Sequence, residues 1–138
     1  MNKPIAVLDT NIYISATFWS GKPYLVIQKA VNQEIITFIS QSIIAELRRV
    51  LSRDFSIQKE DIDDVIESVL FFTHSIKPKE AVSVIKEDPS DNRILECALA
   101  CKAEFIVTHD KHLLKLKKYK GIKIITAKEF LDRLDGCN

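Results

Sequence analysis

Short apolar runs and longer amphipathic stretches alternate along the chain. Residues 5–8 are all apolar and end at Asp9, a pattern typical of a strand that is buried on both faces and followed by a turn. Between 41 and 51 the apolar residues recur at helical spacing behind Ser40, which can cap a helix. The same criteria predict strands at 5–8, 35–39, 74–76, 105–108 and 122–125, helices at 24–31, 41–51, 58–72, 111–117 and 127–134, and a helix that opens at 88–91 and runs to about 102.

Helices that separate the predicted strands indicate right-handed crossovers and a mostly parallel sheet. We therefore expect an α/β fold, in which a three-layer α/β/α sandwich encloses a mostly parallel central sheet. The length of 138 residues fits one domain with a single core, so residues 1–138 are predicted to form a single domain. In sheets of this kind, sites form along the carboxyl edge.

The amino-acid composition limits which binding partners and which cellular compartment we expect for this protein. Twenty Lys and Arg against nineteen Asp and Glu give a net charge of +1, so the overall charge predicts no strong attraction to polyanions or membranes. The three cysteines, Cys97, Cys101 and Cys137, lack C-x-x-C spacing and suit a reducing compartment. Asp9 interrupts the first apolar run too early for a signal peptide or membrane span. We expect a cytoplasmic protein without membrane association.

Four carboxylates are predicted to meet at the carboxyl edge of the sheet. Asp9 directly follows the first strand, and Asp110 follows the strand at 105–108 after one intervening residue. Helices begin at the same edge, and Asp91 lies in the first turn of one helix and Glu46 in the first half of another. These four residues are therefore candidates for one site.

The helical angles predict where two of these side chains point. At about 100° per residue, Asp91 falls within the apolar stripe of its helix and Glu46 at the border of its own. Several anionic oxygens in a partly desolvated place are costly unless a cation compensates them. Oxygen ligands favour Mg²⁺ or Mn²⁺, and such a cation would activate water and neutralise charge that develops on a phosphoryl group. The pattern predicts a metal site suited to phosphodiester hydrolysis, with hydrogen-bonding help from Thr10, Asn11 and Asn92.

Each acid also has a purely structural interpretation. Asp91 can complete a capping box, and Asp110 can cap the helix that follows it. Glu46 can pair with Arg49 one turn on, and Asp9 can begin a turn. Independent caps have no reason to face one edge, so the convergence of the four favours a shared site.

Four short motifs in order resemble the PIN-domain family. They are Val7-Leu8-Asp9-Thr10-Asn11, Ser40-x-x-Ile43-x-x-Glu46-Leu47, Asp88-Pro89-x-Asp91-Asn92-x-x-Leu95-Glu96 and Val107-Thr108-x-Asp110-Lys111-x-Leu113-Leu114. The resemblance extends over nearly the whole chain and is strongest for the small single-domain toxins of toxin–antitoxin pairs, which are relatives of the VapC toxins.

This resemblance implies a metal-dependent endoribonuclease that uses Mg²⁺ or Mn²⁺, cleaves RNA, forms homodimers and is inhibited by a separately encoded antitoxin. By motif, Thr10 and Asn11 match the polar companions of the family's acidic quartet. The quartet itself, with its catalytic and metal-binding roles, is matched by Asp9, Glu46, Asp91 and Asp110. Asp88 is an additional acid one turn before Asp91, and we expect it to serve as a cap.

A lysine-rich segment follows Asp110. Lys111 is predicted to contact substrate, and Tyr119 lies among the lysines, which are Lys111, Lys115, Lys117, Lys118, Lys120 and Lys123. Such a cluster can hold an RNA backbone by counterion release and stack one base, but lysine-rich surfaces are also common in soluble proteins. Both interpretations stay open.

The sequence also predicts where three other sets of side chains lie. His109 and His112 flank Asp110 without the further ligands of a zinc site, which favours a surface role. Phe18 and Trp19 are expected to place at least one ring in the core, with a dimer or antitoxin contact as the alternative. Glu96 is expected on the outer side of its helix.

Two other functions compete with a nuclease. A strand that ends in Asp-Thr is also found in phosphatases with an aspartyl nucleophile, but those need a second Asp two residues on, where this chain has Asn11. A non-catalytic RNA-binding or regulatory domain is the stronger rival, and retention of all four acids argues against it. DNA is not excluded by the chemistry, because metal-activated water does not use the 2′-hydroxyl; RNA is preferred through the resemblance.

Overall fold

The computed structural model describes residues 3–136, and within them seven helices accompany six strands. The strands are β1 (Ile5–Leu8), β2 (Ile36–Ile39), β3 (His74–Ser75), β4 (Phe105–Val107), β5 (Lys118–Tyr119) and β6 (Ile122–Ile125). The helices are α1 (Thr10–Phe18), α2 (Lys22–Val31), α3 (Gln41–Phe55), α4 (Lys59–Phe72), α5 (Asp91–Cys101), α6 (Lys111–Leu116) and α7 (Ala127–Leu134). Cys137 lies outside the described residues.

The strands form one sheet in the order β3-β2-β1-β4-β6-β5. Every neighbouring pair is parallel except β5 with β6, which form a short antiparallel ribbon. In the centre, Leu8 of β1 lies opposite Val107 of β4. This register brings the residues that follow both strands together at the carboxyl edge.

Helices cover both faces of the sheet. Consecutive residues of a strand point to opposite faces, and Ala6, Val7 and Leu8 are all fully buried, so β1 has no face in water. Helix contacts run from α7 through α2, α1 and α3 to α4, whereas α5 packs on β1, β2 and β4 and also touches α3. The expected α/β fold with a mostly parallel central sheet between helical layers is confirmed.

Two elements were not expected from the sequence. Helix α1 begins directly at Thr10 and is rich in β-branched residues of modest helix propensity. Its buried residues Ile12, Tyr13 and Ile14 are consecutive, so it shows no helical periodicity. Strand β5 is only two residues long. The turn expected after Asp9 is therefore corrected to a helix, and residues 118–119, which no predicted element covered, form a strand.

The aromatic pair that ends α1 lies at the surface. Phe18 is 38% exposed and Trp19 is 61% exposed, and both rings contact Phe55 at the end of α3. The expectation that at least one of them belongs to the core is wrong, because both rings pack against Phe55, which is itself only partly buried. Cys97 and Cys101 are buried, as expected for small packed side chains.

Within residues 3–136, no helix combines the length and the apolar character that crossing a membrane requires.

Ser40 caps the helix that carries Glu46. Its buried hydroxyl accepts a hydrogen bond from the Ile43 backbone N–H at 3.3 Å. We expect Ser40→Ala to lower the free energy of unfolding by about 1 kcal/mol, because an N-cap bond is lost. Ser52→Ala, at an exposed position of the same helix, should change it by less than about 0.5 kcal/mol. Urea denaturation of both variants measures the difference, and equal losses would contradict the capping role.

Candidate metal centre and active site

Five carboxylates line one small cavity at the carboxyl edge of the sheet. The cavity has a volume of about 80 Å³, and Thr10, Asn11, Ser42 and Arg93 also line it. The fold brings its acids from four different segments, namely Asp9 after β1, Glu46 on α3, Asp88 and Asp91 around the start of α5, and Asp110 after β4. All four acids predicted from the sequence thus reach one place.

The tightest group in this cavity is Asp88, Asp91 and Asp110. Each offers a carboxylate oxygen, and these oxygens lie within 4.8 Å of one another. Asp91 is only 5% exposed, and its buried Oδ2 has no hydrogen-bond partner. An unpaired buried anionic oxygen is costly, so this arrangement fits a bound cation better than a purely structural cluster.

Asp9 is held at the back of the cavity by hydrogen bonds. Its Oδ2 accepts from the Thr108 hydroxyl at 2.7 Å and from the Asn11 amide at 3.3 Å, and its Oδ1 accepts from the Thr10 backbone N–H at 2.7 Å. The last of these bonds caps α1. Thr10 and Asn11 therefore contact Asp9 directly, and Asn11 Oδ1 also accepts from the His109 backbone N–H at 3.3 Å.

Thr108 stands in the fourth sequence motif but was not among the predicted site residues. It is fully buried, and its Oγ1 donates to Asp9 and accepts from the Asp110 backbone N–H at 2.9 Å. One hydroxyl thus fixes the positions of two acids that are far apart in sequence. The signal that could have found it was a hydroxyl residue at the carboxyl end of a strand predicted to lie beside β1.

Asp110 both caps a helix and belongs to the acidic cluster. Its Oδ1 accepts from the backbone N–H groups of His112 and Leu113 at 2.8 and 3.2 Å, which caps α6. Its second carboxylate oxygen takes no part in these capping bonds. The capping interpretation and the cluster are therefore compatible for this residue.

Glu46 lines the cavity, but its carboxylate is paired with a residue of its own helix, α3. Both of its carboxylate oxygens accept from Arg49 Nη2 at 2.7 Å, and the pair is partly exposed. The structural interpretation of Glu46 as an ion-pair partner is thus confirmed, and its charge is compensated before any cation is considered. Of the predicted quartet, it is the acid with the least need for a cation.

The segment before α5 differs from the predicted capping box. Helix α5 begins at Asp91 with Ser90 as its N-cap, so Asp91 is the first helical residue rather than the third. Asp88 Oδ1 accepts from the backbone N–H and hydroxyl of Ser90 at 3.2 and 2.6 Å. Asp88 thus stabilises the turn, as expected of a local cap, and also joins the acidic cluster.

Asn92 holds this segment instead of facing the cavity. Its amide is buried and makes four backbone hydrogen bonds, accepting from Val84 and Ile85 and donating to Ile85 and Pro89. The expectation that it orients water or phosphate directly is replaced by a role in fixing the loop that carries Asp88. Glu96 is not among the buried residues of α5, in line with its expected place on the outer side, and it accepts from the Val82 backbone N–H at 2.8 Å.

The remaining predicted contacts lie at the surface. Lys111 is exposed at the first position of α6, next to Asp110. His109 is exposed and His112 is partly buried, and the metal-competent group found among residues 3–136 contains neither of them. The preference for a surface role over a zinc site is consistent with this placement.

Burial and mutual repulsion hold protons on the central acids. Burial raises the pKa of Asp9 to about 6, against the hydrogen bonds from Thr108 and Thr10 that lower it. Burial also raises the pKa of Asp91 to about 8, with further increases from the charges of Asp110, Asp9 and Asp88. Without a cation, the cluster therefore resists full ionisation near neutral pH.

Comparison with known proteins assigns the family. The sequence model of the PIN domain family matches residues 6–112, a range that includes all four predicted acids. The chain belongs to the PIN domain family. No curated protein matches it significantly in sequence.

Solved structures share the fold at low sequence identity. VapBC2 from Rickettsia felis, bound to a DNA fragment from its promoter, has a TM-score of 0.64 at 20% identity and covers 88% of this chain and 98% of its own. PAE2754 from Pyrobaculum aerophilum has a TM-score of 0.64 at 17% identity, covering 97% and 90%. VapBC-1 from nontypeable Haemophilus influenzae has a TM-score of 0.62 at 20% identity, covering 90% and 98%. These likenesses support the PIN-like fold.

The raised pKa values predict a pH-dependent stability. The folded pKa of Asp9 lies above its ordinary value of 3.8, so the folded state binds more protons than the unfolded state between about pH 4 and 6. Stability must then fall as the pH rises through this window. The loss from Asp9 alone is about 3 kcal/mol, and Asp91 extends the fall toward about pH 8.

We therefore expect urea denaturation in EDTA to give a lower free energy of unfolding at about pH 8 than at about pH 5. Asp91→Asn, which removes one ionisable group from the cluster, should flatten this dependence. Mg²⁺ should restore stability to the unmodified protein at the higher pH. A stability in EDTA that rises with pH would contradict the assignment.

Proposed function

We propose that this protein is a divalent-metal-dependent endoribonuclease that hydrolyses RNA phosphodiester bonds and acts as the toxin of a toxin–antitoxin pair. The observation that carries the catalytic part is the buried, unpartnered Oδ2 of Asp91 among the carboxylates of Asp88 and Asp110. Membership of the PIN domain family supports a nuclease. A binding domain without catalysis would gain nothing from this costly arrangement.

The proposed ligands of the cation are Asp91 and Asp110, with Asp9 and Asp88 close by and Glu46 at the cavity wall. All donors are carboxylate oxygens, which fit the hard cations Mg²⁺ and Mn²⁺. When bound, such a cation activates water and neutralises negative charge on the phosphoryl oxygens. The proposed catalytic set is the quartet Asp9, Glu46, Asp91 and Asp110, to which the geometry adds Asp88.

The other residues of the site position these acids. Thr108 fixes Asp9 and the start of α6, and Thr10 and Asn11 restrain the Asp9 carboxylate from its other side. Such supporting contacts typically change metal affinity or activity by about 10- to 100-fold. Exposed Lys111, beside Asp110, is suited to contact a substrate phosphate.

A protein partner is part of the same proposal. VapBC2 and VapBC-1 share the fold of this chain, and we infer a separately encoded antitoxin for this chain as well. The exposed rings of Phe18 and Trp19 beside Phe55 offer apolar surface for the antitoxin or for a second copy of the chain. We propose a homodimer, and light scattering after size exclusion should give twice the monomer mass.

The nuclease proposal is tested with a panel of single-stranded RNAs incubated with Mg²⁺, Mn²⁺ or EDTA. We expect cleavage with either metal and none in EDTA. Asp91→Asn should lower the cleavage rate by at least about 100-fold, because a metal ligand matters at least as much as the residues that support it. Asp9→Asn should do the same, whereas Asp64→Asn, at an exposed position of α4, should leave the rate unchanged.

Metal binding can be followed separately from activity. Mg²⁺ or Mn²⁺ should raise the melting temperature of the unmodified protein and of Asp64→Asn, but not that of Asp91→Asn. Equal cleavage by Asp91→Asn and the unmodified protein would indicate a contaminating nuclease. Metal-dependent stabilisation without cleavage of any RNA would favour the non-catalytic alternative.

A further inference from the structure

A second, larger groove adjoins the acidic cavity. Its volume is about 930 Å³, and Ser42 and Arg93 line both the groove and the cavity. The groove is formed by the start of α3, the segment 75–81 after β3, and the outer side of α5. It is large enough for a bound ligand, and it opens directly onto the proposed catalytic carboxylates.

Sheet topology places this groove on the same edge as the acids. Gln41 follows β2, and Ser75 ends β3, so both lie at carboxyl ends of parallel strands. Strands β3, β2 and β1 are neighbours, and a spacing of about 4.8 Å per strand puts β3 about 10 Å from β1. A ligand that crosses this edge passes from the groove to the acidic cavity without leaving the surface.

The charges in the groove oppose those in the cavity. Lys77, Lys79 and Arg93 line the groove, and a smaller adjoining depression of about 200 Å³ adds Lys102 while sharing Lys79. The acids here are Glu80 and Glu96. The Glu96 carboxylate is already compensated, because it accepts from the Val82 backbone N–H and pairs with Arg93 at 3.0 Å.

Arg93 stands at the junction of groove and cavity with its guanidinium held in place. Its Nη2 donates to the Val82 carbonyl at 3.0 Å and pairs with Glu96. Its Nε is buried without a hydrogen-bond partner. Because the Arg93 charge is paired with Glu96, the positive charge that would attract a phosphate to the groove comes from exposed Lys77 and Lys79.

We infer that this groove binds the sugar–phosphate backbone of a single-stranded nucleic acid on one side of the bond to be cleaved. The inference rests on the proposed nuclease function and adds the path of the substrate. No aromatic side chain lines the groove within the described part of the chain, so it offers no platform for stacking bases. Recognition there uses phosphates, depends on salt and is insensitive to base sequence.

The test is binding of short fluorescein-labelled single strands, RNA and DNA of the same sequence, measured by fluorescence anisotropy in EDTA at several salt concentrations. The groove variant is Lys77→Gln with Lys79→Gln, since both lysines are exposed and their loss should not disturb the fold. Arg93 is left intact because its contacts support the segment at Val82. The matched control is Lys22→Gln with Lys59→Gln, which removes the same charge from α2 and α4.

For two lost phosphate contacts, the slope of log affinity against log salt should fall by about 1.4. The same relation gives a loss of affinity of about 25-fold near 0.1 M salt. The control variant should bind like the unmodified protein. RNA and DNA should lose affinity equally, because the groove contacts only the shared backbone; a loss confined to RNA would mean that it reads the 2′-hydroxyl and would contradict backbone-only recognition.

A third variant, Lys118→Gln with Lys123→Gln, removes charge from the lysine-rich segment at β5 and β6, which lie at the other end of the sheet from β3. The inference would be overturned if this third variant lost binding and the groove variant did not. Equal losses in the groove and control variants would also overturn it, as would no binding by the unmodified protein. The measurement does not depend on cleavage. If the protein cleaves RNA with metal but the groove variant binds as well as the unmodified protein, the groove inference is rejected and the nuclease proposal stands. If only the groove variant loses binding and no protein cleaves RNA, the nuclease proposal is rejected and the groove inference stands.

Discussion

The buried carboxylate of Asp91 is the constraint around which the rest of the site is organised. Its Oδ2 has no hydrogen-bond donor beside it, and the charges of Asp110, Asp9 and Asp88 raise its pKa further. A fold selected only for stability would replace such a residue, because burying unpaired charge is costly. The cluster therefore fits the proposed cation site, where a bound cation would offset this cost in stability.

The parallel register of β1 and β4 makes this cluster possible. Leu8 lies opposite Val107, so the next residues, Asp9 and Thr108, are adjacent at the edge. The Thr108 hydroxyl then joins Asp9 to the Asp110 backbone. A single buried hydroxyl thus couples the geometry of two acids to the pairing of the central strands.

Two acids of the site also cap helices. Asp9 caps α1 and Asp110 caps α6, yet both face the acidic cavity. Capping and membership of a shared site are alternatives when judged from the sequence, but the structure shows that one carboxylate can cap a helix and also line the acidic cavity. This dual use fixes the acids on rigid elements, which limits the motion of the proposed ligands.

The cavity and the groove give the carboxyl edge two opposite charges. Five acids line the cavity near the ends of β1 and β4, whereas Lys77 and Lys79 line the groove in the segment that follows β3. The net charge of +1 conceals this division. Local clustering, which composition alone does not reveal, decides where a polyanion can bind.

The sequence by itself determined the alternating elements, the α/β class and the four acids at one edge, because burial on both faces and helical periodicity leave clear patterns. Helix α1 could not be predicted in this way, because its buried residues are consecutive and show no periodicity. The tertiary structure alone decided the partners of each side chain. Only in three dimensions does Asn92 turn to the 84–89 segment and Thr108 to Asp9, since contacts between separate segments depend on strand register and helix placement.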